Sequence, residues 1–259
     1  MKSKHIILSA LMLGTLPAIA ETSAPSFEQS ITTADPASEW SVRTSFYGWA
    51  QGLDGDVGVL GRTAPVDIGF DDILSDLDFA FMGAVEVGYG RWSFLADINY
   101  ADIGAGYDGE FGGAGHVDLK QFLGNFLVTY NITTTETLMF DVYGGARVNS
   151  MDLDIDFTGP KKKNSFNVSG DKTWVDPVIG ARFQAELGNS FFFRALGDIG
   201  GFGIESDVTW QAMAGFGYRF NSQCAAFLGY RALGTDYTDG GFTYDVVASG
   251  PVIGLQYTF

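Results

Sequence analysis

The sequence predicts an all-β protein, an antiparallel up-and-down transmembrane β-barrel of about ten strands, with eight or twelve also possible. Two observations predict it. Apolar residues recur at every second position over stretches of roughly ten residues, which is the period of a β-strand. The stretches are joined alternately by short turns and by longer loops rich in Gly and Asp, as in barrels with short periplasmic turns and longer extracellular loops.

The N-terminus has the three parts of a secretory signal peptide. Two lysines lie in the first four residues, residues 6–16 are apolar, and Ala-Ile-Ala at 18–20 supplies small residues for cleavage. We therefore assign residues 1–20 to a signal peptide. Residues 21–39, rich in Ser, Thr, Ala and Pro, are expected to form a flexible periplasmic lead-in. Residues 40–259 form the barrel domain.

Charge and cysteine content exclude several classes of protein. The formal net charge is −16, and a chain this acidic without a basic stripe is not expected to bind nucleic acid. Cys224 is the single cysteine, so no disulfide can stabilise the fold. We interpret it as a structural thiol, and we expect neither a cofactor nor a metal.

The strands can be placed one after another along the chain. Residues 79–89 and 92–103 illustrate the alternation, and only Gly90-Arg91 separates them, which suits a hairpin turn. No later stretch is long and apolar enough for a transmembrane helix. The alternation predicts strands near 40–51, 79–89, 92–103, 117–131, 137–149, 174–186, 190–202, 207–220, 225–237 and 244–259.

The chemistry of the two strand faces favours a membrane barrel over a soluble β-sandwich. A sandwich would carry many Lys, Glu and Thr on its water-facing side. Here the less apolar face is mostly small, with isolated charges, and aromatic residues concentrate at the strand ends of the other face. Such residues form the girdles of a membrane barrel: Trp40, Phe79, Tyr89, Trp92, Tyr100, Phe122, Tyr130, Trp210, Tyr218 and Tyr257.

Charged residues on the inward face are nearly balanced in sign although the chain is acidic. Unpaired charges in a narrow lumen are costly, so we predict a network of Arg–carboxylate pairs across the lumen, with the surplus acid in loops. The network either stabilises a filled barrel or lines a narrow solute path. Its predicted members are Arg43, Glu86, Asp97, Asp141, Arg147, Asp176, Arg182, Arg194, Asp198, Arg219 and Arg231.

Several segments resemble the small outer-membrane β-barrel superfamily of Gram-negative bacteria, which includes porin-like and OmpA-like barrels. They are "YGRW" at the first tight turn and the terminal "LQYTF". "DILSDLDFAFMGAVEVGYGRW", "WVDPVIGARF" and "GYRALGTDY" are similar to a largely uncharacterised branch of it. The resemblance carries no catalytic or binding residue over to this chain.

The resemblance implies location and partners. It implies a protein of the bacterial outer membrane, and we expect a monomer in contact with lipid and lipopolysaccharide. It also implies insertion by the barrel-assembly machinery, which reads a last strand ending in Phe. In this chain the corresponding residues are Leu255, Tyr257 and Phe259.

The remaining candidate chemistry is sparse, and we expect the protein not to be an enzyme. His116 is the only histidine after the signal peptide, with Asp118 two residues on; a hydrolase would use such a pair. The more economical interpretation is a loop-edge histidine without a role. A site built on two or three histidines is excluded by composition.

Two loops offer further candidates. Residues 52–78 contain Asp54, Asp56, Asp71 and Asp72, whose oxygens could bind Ca²⁺ although their spacing fits no EF-hand. The segment "DDILSDL" within this loop predicts a short helix, and a lid over the barrel mouth competes with a solvated loop. The basic run Lys161-Lys162-Lys163 could contact lipid phosphates or simply be solvated.

Three functions remain open from the sequence. They are a narrow passive pore for small solutes, a structural or surface-interacting barrel without transport, and an outer-membrane hydrolase. The sequence also repeats Pro-Val-Ile-Gly at 177–180 and 251–254. Because proline lacks the N–H that a ladder needs, we expect a local bulge at each proline.

Overall fold

The computed structural model describes residues 40–59, 61–108, 114–158 and 166–259. The predicted signal peptide, the lead-in and the run Lys161–Lys163 lie outside the described residues. No helix of the described part is long and apolar enough to cross a membrane.

The described residues form twelve strands and one short helix. In chain order they are β1 Trp40–Trp49, β2 Gly52–Val59, β3 Arg62–Ile68, α1 Phe70–Ser75, β4 Leu77–Tyr89, β5 Trp92–Asp108, β6 Ala114–Thr134, β7 Leu138–Thr158, β8 Phe166–Gly188, β9 Phe191–Gly200, β10 Val208–Arg219, β11 Cys224–Asp239 and β12 Phe242–Thr258.

Ten of these strands close into an antiparallel barrel, which confirms the predicted fold class. β1 pairs with β4 on one side and with β12 on the other. The closing ladder runs from Arg43 opposite Thr258 to Trp49 opposite Val252. Where β1 pairs with both β4 and β12, the ring has no free sheet edge, as a sheet that spans a membrane requires.

The first long loop extends the wall instead of covering the mouth, so the lid expected over 52–78 is not formed by the described residues. β2 pairs with the upper part of β12, and β3 pairs with β2. The predicted short helix is present as α1, and none of its residues is buried. An element without buried residues has no apolar contact that could hold it over the lumen.

The predicted loops 104–116 and 150–173 are also mostly strand. β6 and β7 are each 21 residues long and β8 is 23, whereas a tilted strand needs only about 9–11 residues to cross a bilayer. The prediction ended these strands at the membrane boundary, because the outward face becomes polar there. The ladder itself continues into the extracellular space.

The outer face of the barrel is apolar over a band bounded by aromatic residues. Ile253, Leu255 and Phe259 are exposed by 66%, 63% and 72%, as expected for the lipid-facing side of a membrane barrel. Near the periplasmic turns, Trp40 packs on Tyr89 with ring centroids 4.9 Å apart. Trp92 and Tyr130 pack in the same way at 4.7 Å.

Above this band the two faces exchange character. On β7, Asp152 and Asp156 lie on the same strand face as Val142, which faces lipid lower on the strand. They therefore point outward, and both are exposed. Met151 and Leu153 continue the inward parity of the buried Arg147. Because water surrounds the wall here, an apolar interior and a polar exterior become favourable, as in a soluble barrel.

The two Pro-Val-Ile-Gly repeats lie where a strand loses a neighbour, and the bulges expected there are absent. The register of β7 with β8 passes Pro177 without a shift, and β8 begins to pair with β9 only at the next residue, Val178. Pro251 lies where β12 changes partner from β1 to β2. Proline thus occupies positions where its missing N–H interrupts no continuous ladder.

We predict that Gly250→Ala destabilises the barrel by about 1–3 kcal/mol, as for other overpacked interior positions. A Cβ at Gly250 would overlap the carbonyl oxygen of Ala50, at the point where β12 changes partner. The control is Gly48→Ala, since a Cβ at Gly48 meets nothing within 4 Å. Urea unfolding of both variants in lipid measures the difference, and equal stability would contradict the overlap.

Candidate functional site

Arg182 crosses the lumen in its periplasmic half. Its Nη1 and Nη2 donate to the two carboxylate oxygens of Glu86 at 3.0 and 2.9 Å. Its Nε and Nη2 donate to Asp141 Oδ2 at 3.0 and 2.7 Å. Asp141 is its neighbour on β7, whereas Glu86 lies on β4 on the other side of the lumen. Arg43 adds a second ion pair to Glu86 at 3.1 Å.

Arg147 forms a second crossing nearer the extracellular side. Its side chain is fully buried, and its three nitrogens donate to Asn125, Thr209 and Asp198 at 2.9, 2.9 and 2.7 Å. These partners lie on β6, β10 and β9. One guanidinium therefore ties four strands together, and its planar fork suits this task.

Arg231 makes the third crossing. Its Nε donates to Gln211 Oε1 at 3.0 Å, and its Nη2 lies 3.5 Å from Asp97 Oδ2. The Tyr47 hydroxyl donates to Asp97. The guanidinium carbon lies 4.6 Å above the ring of Trp49, so an apolar cluster begins directly beside this layer.

Three residues predicted to belong to the lumen charge network form no ion pair with another predicted residue of that network. Arg219 pairs with Glu186 and stacks over Phe192 at 4.6 Å. Asp176 is fully buried and accepts hydrogen bonds from the Ser206 backbone N and Oγ at 2.8 and 2.7 Å, which fixes the β9–β10 connection. Arg194 contacts amide side chains and no carboxylate of the described residues.

Several residues of this lumen are not among those predicted from the sequence. Glu186 lies at the inward parity of β8, four residues after Arg182, and a scan of strand ends for inward charges would have found it. Uncharged partners were missed because only charges were considered. They are Tyr47, Asn125, Tyr143, Gln184, Thr209, Gln211 and Gln256.

Two adjacent cavities, which share part of their lining, occupy the periplasmic half of the lumen. The outer one, which we call the vestibule, has a volume of about 470 Å³ and opens between the periplasmic turns near Trp40, Gly90 and Phe259. The inner cavity, of about 160 Å³, reaches upward to Asp97 and Arg231. Both cavities are lined by Arg43, Thr129, Met139, Arg182, Phe192, Arg194, Ala225 and Gln256.

The extracellular half of the lumen is filled by side chains. Trp174 on β8 stacks on Tyr237 of β11, with ring centroids 4.3 Å apart and planes at 9°. Both rings are 2% exposed, and Tyr244 and Val246 join them in one buried cluster. Lys172 closes the rim above with an ion pair to Asp239 at 2.5 Å. We call this cluster, made of Trp174, Tyr237, Tyr244 and Val246, the aromatic closure.

The remaining candidates lie outside the lumen. His116 and Asp118 are on the outer face of β6 above the apolar band, with Nε2 and Oδ1 3.2 Å apart. Asp54 and Asp56 are exposed on β2, and Asp71 and Asp72 occupy the first turn of α1. The described residues contain no group of three His, Cys, Asp or Glu arranged to hold a metal ion.

Comparisons with known proteins bear on the fold. No protein-family model matches the sequence, and no curated protein matches it either. Among solved structures, the outer membrane protease OmpT from Escherichia coli matches with a TM-score of 0.52 and 10% identity, over 85% of this chain and 97% of that one. The fold is that of a bacterial outer-membrane β-barrel.

Two further outer-membrane barrels match with lower TM-scores. The translocator domain of the autotransporter NalP from Neisseria meningitidis gives a TM-score of 0.44 and 11% identity, over 86% of this chain and 89% of that one. Neisserial surface protein A gives a TM-score of 0.32 and 13% identity, over 86% of this chain and 98% of that one. At these identities the likenesses concern the fold alone.

We predict that Arg182→Leu destabilises the barrel by about 3–5 kcal/mol, because it leaves the buried Glu86 and Asp141 without their shared cation. The control Arg62→Leu removes an exposed arginine of β3 and is expected to change stability by less than about 0.5 kcal/mol. Adding Glu86→Gln and Asp141→Asn to Arg182→Leu should restore part of the loss. Urea unfolding measures all three, and a triple variant no more stable than Arg182→Leu would contradict this explanation.

Asp236 gives a prediction about pH. It lies on the outer face of β11 above the girdle residue Trp210, and burial raises its pKa, with further increases from Asp245 and Asp207. A carboxyl whose pKa is higher in the folded state contributes stability below its unfolded pKa and loses that contribution as pH rises through the folded value. Asp236→Asn should therefore lose less stability than the wild type between acidic and neutral pH.

To measure this, each protein is heated at several pH values between acidic and neutral. The thermal unfolding midpoint is then read from the heat-dependent shift in its mobility on SDS gels. Glu136→Gln, in the exposed β6–β7 turn, is the control and should follow the wild type. A wild-type profile that coincides with that of Asp236→Asn would contradict the effect.

Proposed function

We propose that this protein is an integral outer-membrane β-barrel with a lumen closed on the extracellular side, and that its role is structural or surface-interacting, without passive transport in this state. The observation that carries the proposal is the aromatic closure. A stacked Trp174–Tyr237 pair buried to 2% exposure leaves no space for a solute between β8 and β11.

The closure is backed by further buried layers. Trp49, Leu123 and Leu233 form a second apolar cluster in the lumen, beside the arginine layers of Arg147 and Arg231. A passive pore needs a continuous hydrated path, and these layers favour the filled-barrel interpretation of the charge network. A pore would require several of them to rearrange together.

The extracellular wall supports a role at the cell surface. β6, β7 and β8 project well beyond the apolar band, while β9 is only ten residues long. The projecting wall presents Asp152 and Asp156 outward, and its neighbour β8 presents exposed Asp171. An exposed, strand-supported polar surface is a rigid platform for contacts with lipopolysaccharide or another surface component.

The hydrolase hypothesis has less support. OmpT is a protease, but at 10% identity its likeness concerns the fold. His116 and Asp118 are paired on the outer wall and not in a cavity, whereas a hydrolase needs a substrate held beside its base. That the protein is not an enzyme remains a prediction.

The exposed C-terminal end of β12, together with Phe259 directly after it, supports insertion by the barrel-assembly machinery. Leu255 and Phe259 are both more than 60% exposed on the face expected to meet lipid, with Tyr257 between them. A monomer needs no further contact to close, because β1 and β12 already pair.

Conductance in planar bilayers tests the proposed function. The wild type should show no channel steps above baseline, and Trp49→Ala combined with Trp174→Ala and Tyr237→Ala should raise conductance by removing the large rings from both apolar layers. Trp92→Ala with Tyr130→Ala is the matched control, because it removes the same ring types from a packed pair on the outer wall. Stable open-channel steps in the wild type would contradict the proposal.

A further inference from the structure

The periplasmic half of the lumen holds more arginine than carboxylate. Besides Arg91 in the turn at the rim, four arginines on the strands face this region, and their ion pairs among the described residues use three carboxylates: Glu86, Asp141 and Glu186. Arg43, Arg182 and Arg219 contact these carboxylates. Arg194 is the arginine left over.

Arg194 is held in place without being neutralised. Its Nε and Nη2 donate to Gln184 Oε1 at 3.0 and 2.8 Å, and Nη2 also donates to Gln256 Oε1 at 3.1 Å. The guanidinium carbon lies 5.3 Å above the ring of Phe192. Amide oxygens orient a guanidinium but carry no charge, and within the described residues Nη1 donates no hydrogen bond. A preorganised cation with a free Nη1 group is the arrangement that an anion would complete.

The position of Arg194 indicates how such an anion would enter. Arg194 and Arg43 line both the vestibule and the inner cavity, so they lie where the two meet. The vestibule opens between the periplasmic turns, and the aromatic closure blocks the opposite end. An anion would therefore arrive from the periplasm and meet Arg194 before it reached the inner cavity.

The inner cavity indicates the rest of the ligand. Beyond the arginines, much of its wall is apolar, and an apolar group placed there would leave water. The apolar side chains of this wall are Leu95, Leu127, Met139, Phe192, Leu196 and Met213. A small inorganic anion would leave this wall unused.

We propose that the junction of the vestibule and the inner cavity binds an organic carboxylate with an apolar group of several carbons, taken from the periplasm. The carboxylate binds Arg194, with Arg43 beside it, and the apolar group lies in the inner cavity. One surplus cation matches a monoanion, and the planar guanidinium matches the planar carboxylate. The binding site itself does not depend on whether the barrel conducts, whereas entry from the periplasm alone rests on the proposed closure.

Equilibrium dialysis of the full chain in lipid nanodiscs against radiolabelled hexanoate tests this proposal, with empty nanodiscs as the blank. The wild type should bind hexanoate more tightly than acetate, which lacks the apolar group, and than hexanol, which lacks the charge. Arg194→Gln should weaken hexanoate binding by at least about tenfold, as expected for the loss of a charge-assisted pair. Arg62→Gln, with the same change of charge on the exposed β3, should bind like the wild type.

A second variant covers the case in which Arg194→Gln does not fold, as judged by the heat-dependent shift on SDS gels. Thr129 lines both cavities, so Thr129→Glu supplies an internal carboxylate and should weaken hexanoate binding to a similar extent. Hexanoate binding equal in Arg194→Gln, Thr129→Glu and Arg62→Gln would overturn the site. No saturable binding to the wild type would overturn it too, and equal binding of acetate would overturn the apolar part.

The two proposals fail separately. Channel steps in the wild type would remove the proposed closed barrel and leave the dialysis result standing. Absence of hexanoate binding would remove the carboxylate site and leave the conductance result standing.

Discussion

Closure of the strand ring is the constraint on which the rest of this structure depends. In the hydrocarbon core of a membrane no water can satisfy a backbone N–H or C=O, so a sheet there must pair its first strand with its last. The β1–β12 ladder does this. Once the ring is closed, every strand residue faces either the outside or the lumen, and the parity of the sequence decides which. The lumen network, the girdles and the cavities all follow from that assignment.

Closure also explains why side chains of one parity change character along a strand. On β12, Ile253 and Leu255 face lipid while Asp245 faces water on the same side. Inside, Tyr244 and Val246 are buried although the lumen below them is polar. The backbone continues unchanged through both environments, and only the surrounding solvent differs. A strand that outruns the bilayer therefore becomes the wall of a soluble barrel, with its own apolar core.

The lumen combines two solutions for charged side chains in a confined space. Arg147 donates a hydrogen bond from each of its three nitrogens and ties four strands, as expected for a buried polar group. Arg194 is oriented by two glutamines and has no carboxylate partner among the described residues. The first arrangement is complete without a ligand, and the second is not. This difference separates residues that stabilise the wall from a residue available for binding.

The sequence by itself determined the strands, their inward and outward faces, the girdles and the identity of the inward charges, because a period of two and a change of lipid for water act locally on each residue. It missed the strand extensions, because the alternation inverts where the membrane ends, and it assigned β2 and β3 to a loop, because that segment is rich in Gly and Asp. It also missed Glu186, which lies at a strand end. Only the tertiary structure decided that Arg182 reaches Glu86, that Arg194 meets no described carboxylate, and that Trp174 and Tyr237 close the lumen. These contacts join strands far apart in the chain, and the way side chains meet across a lumen depends on barrel size and strand stagger, which no local pattern encodes.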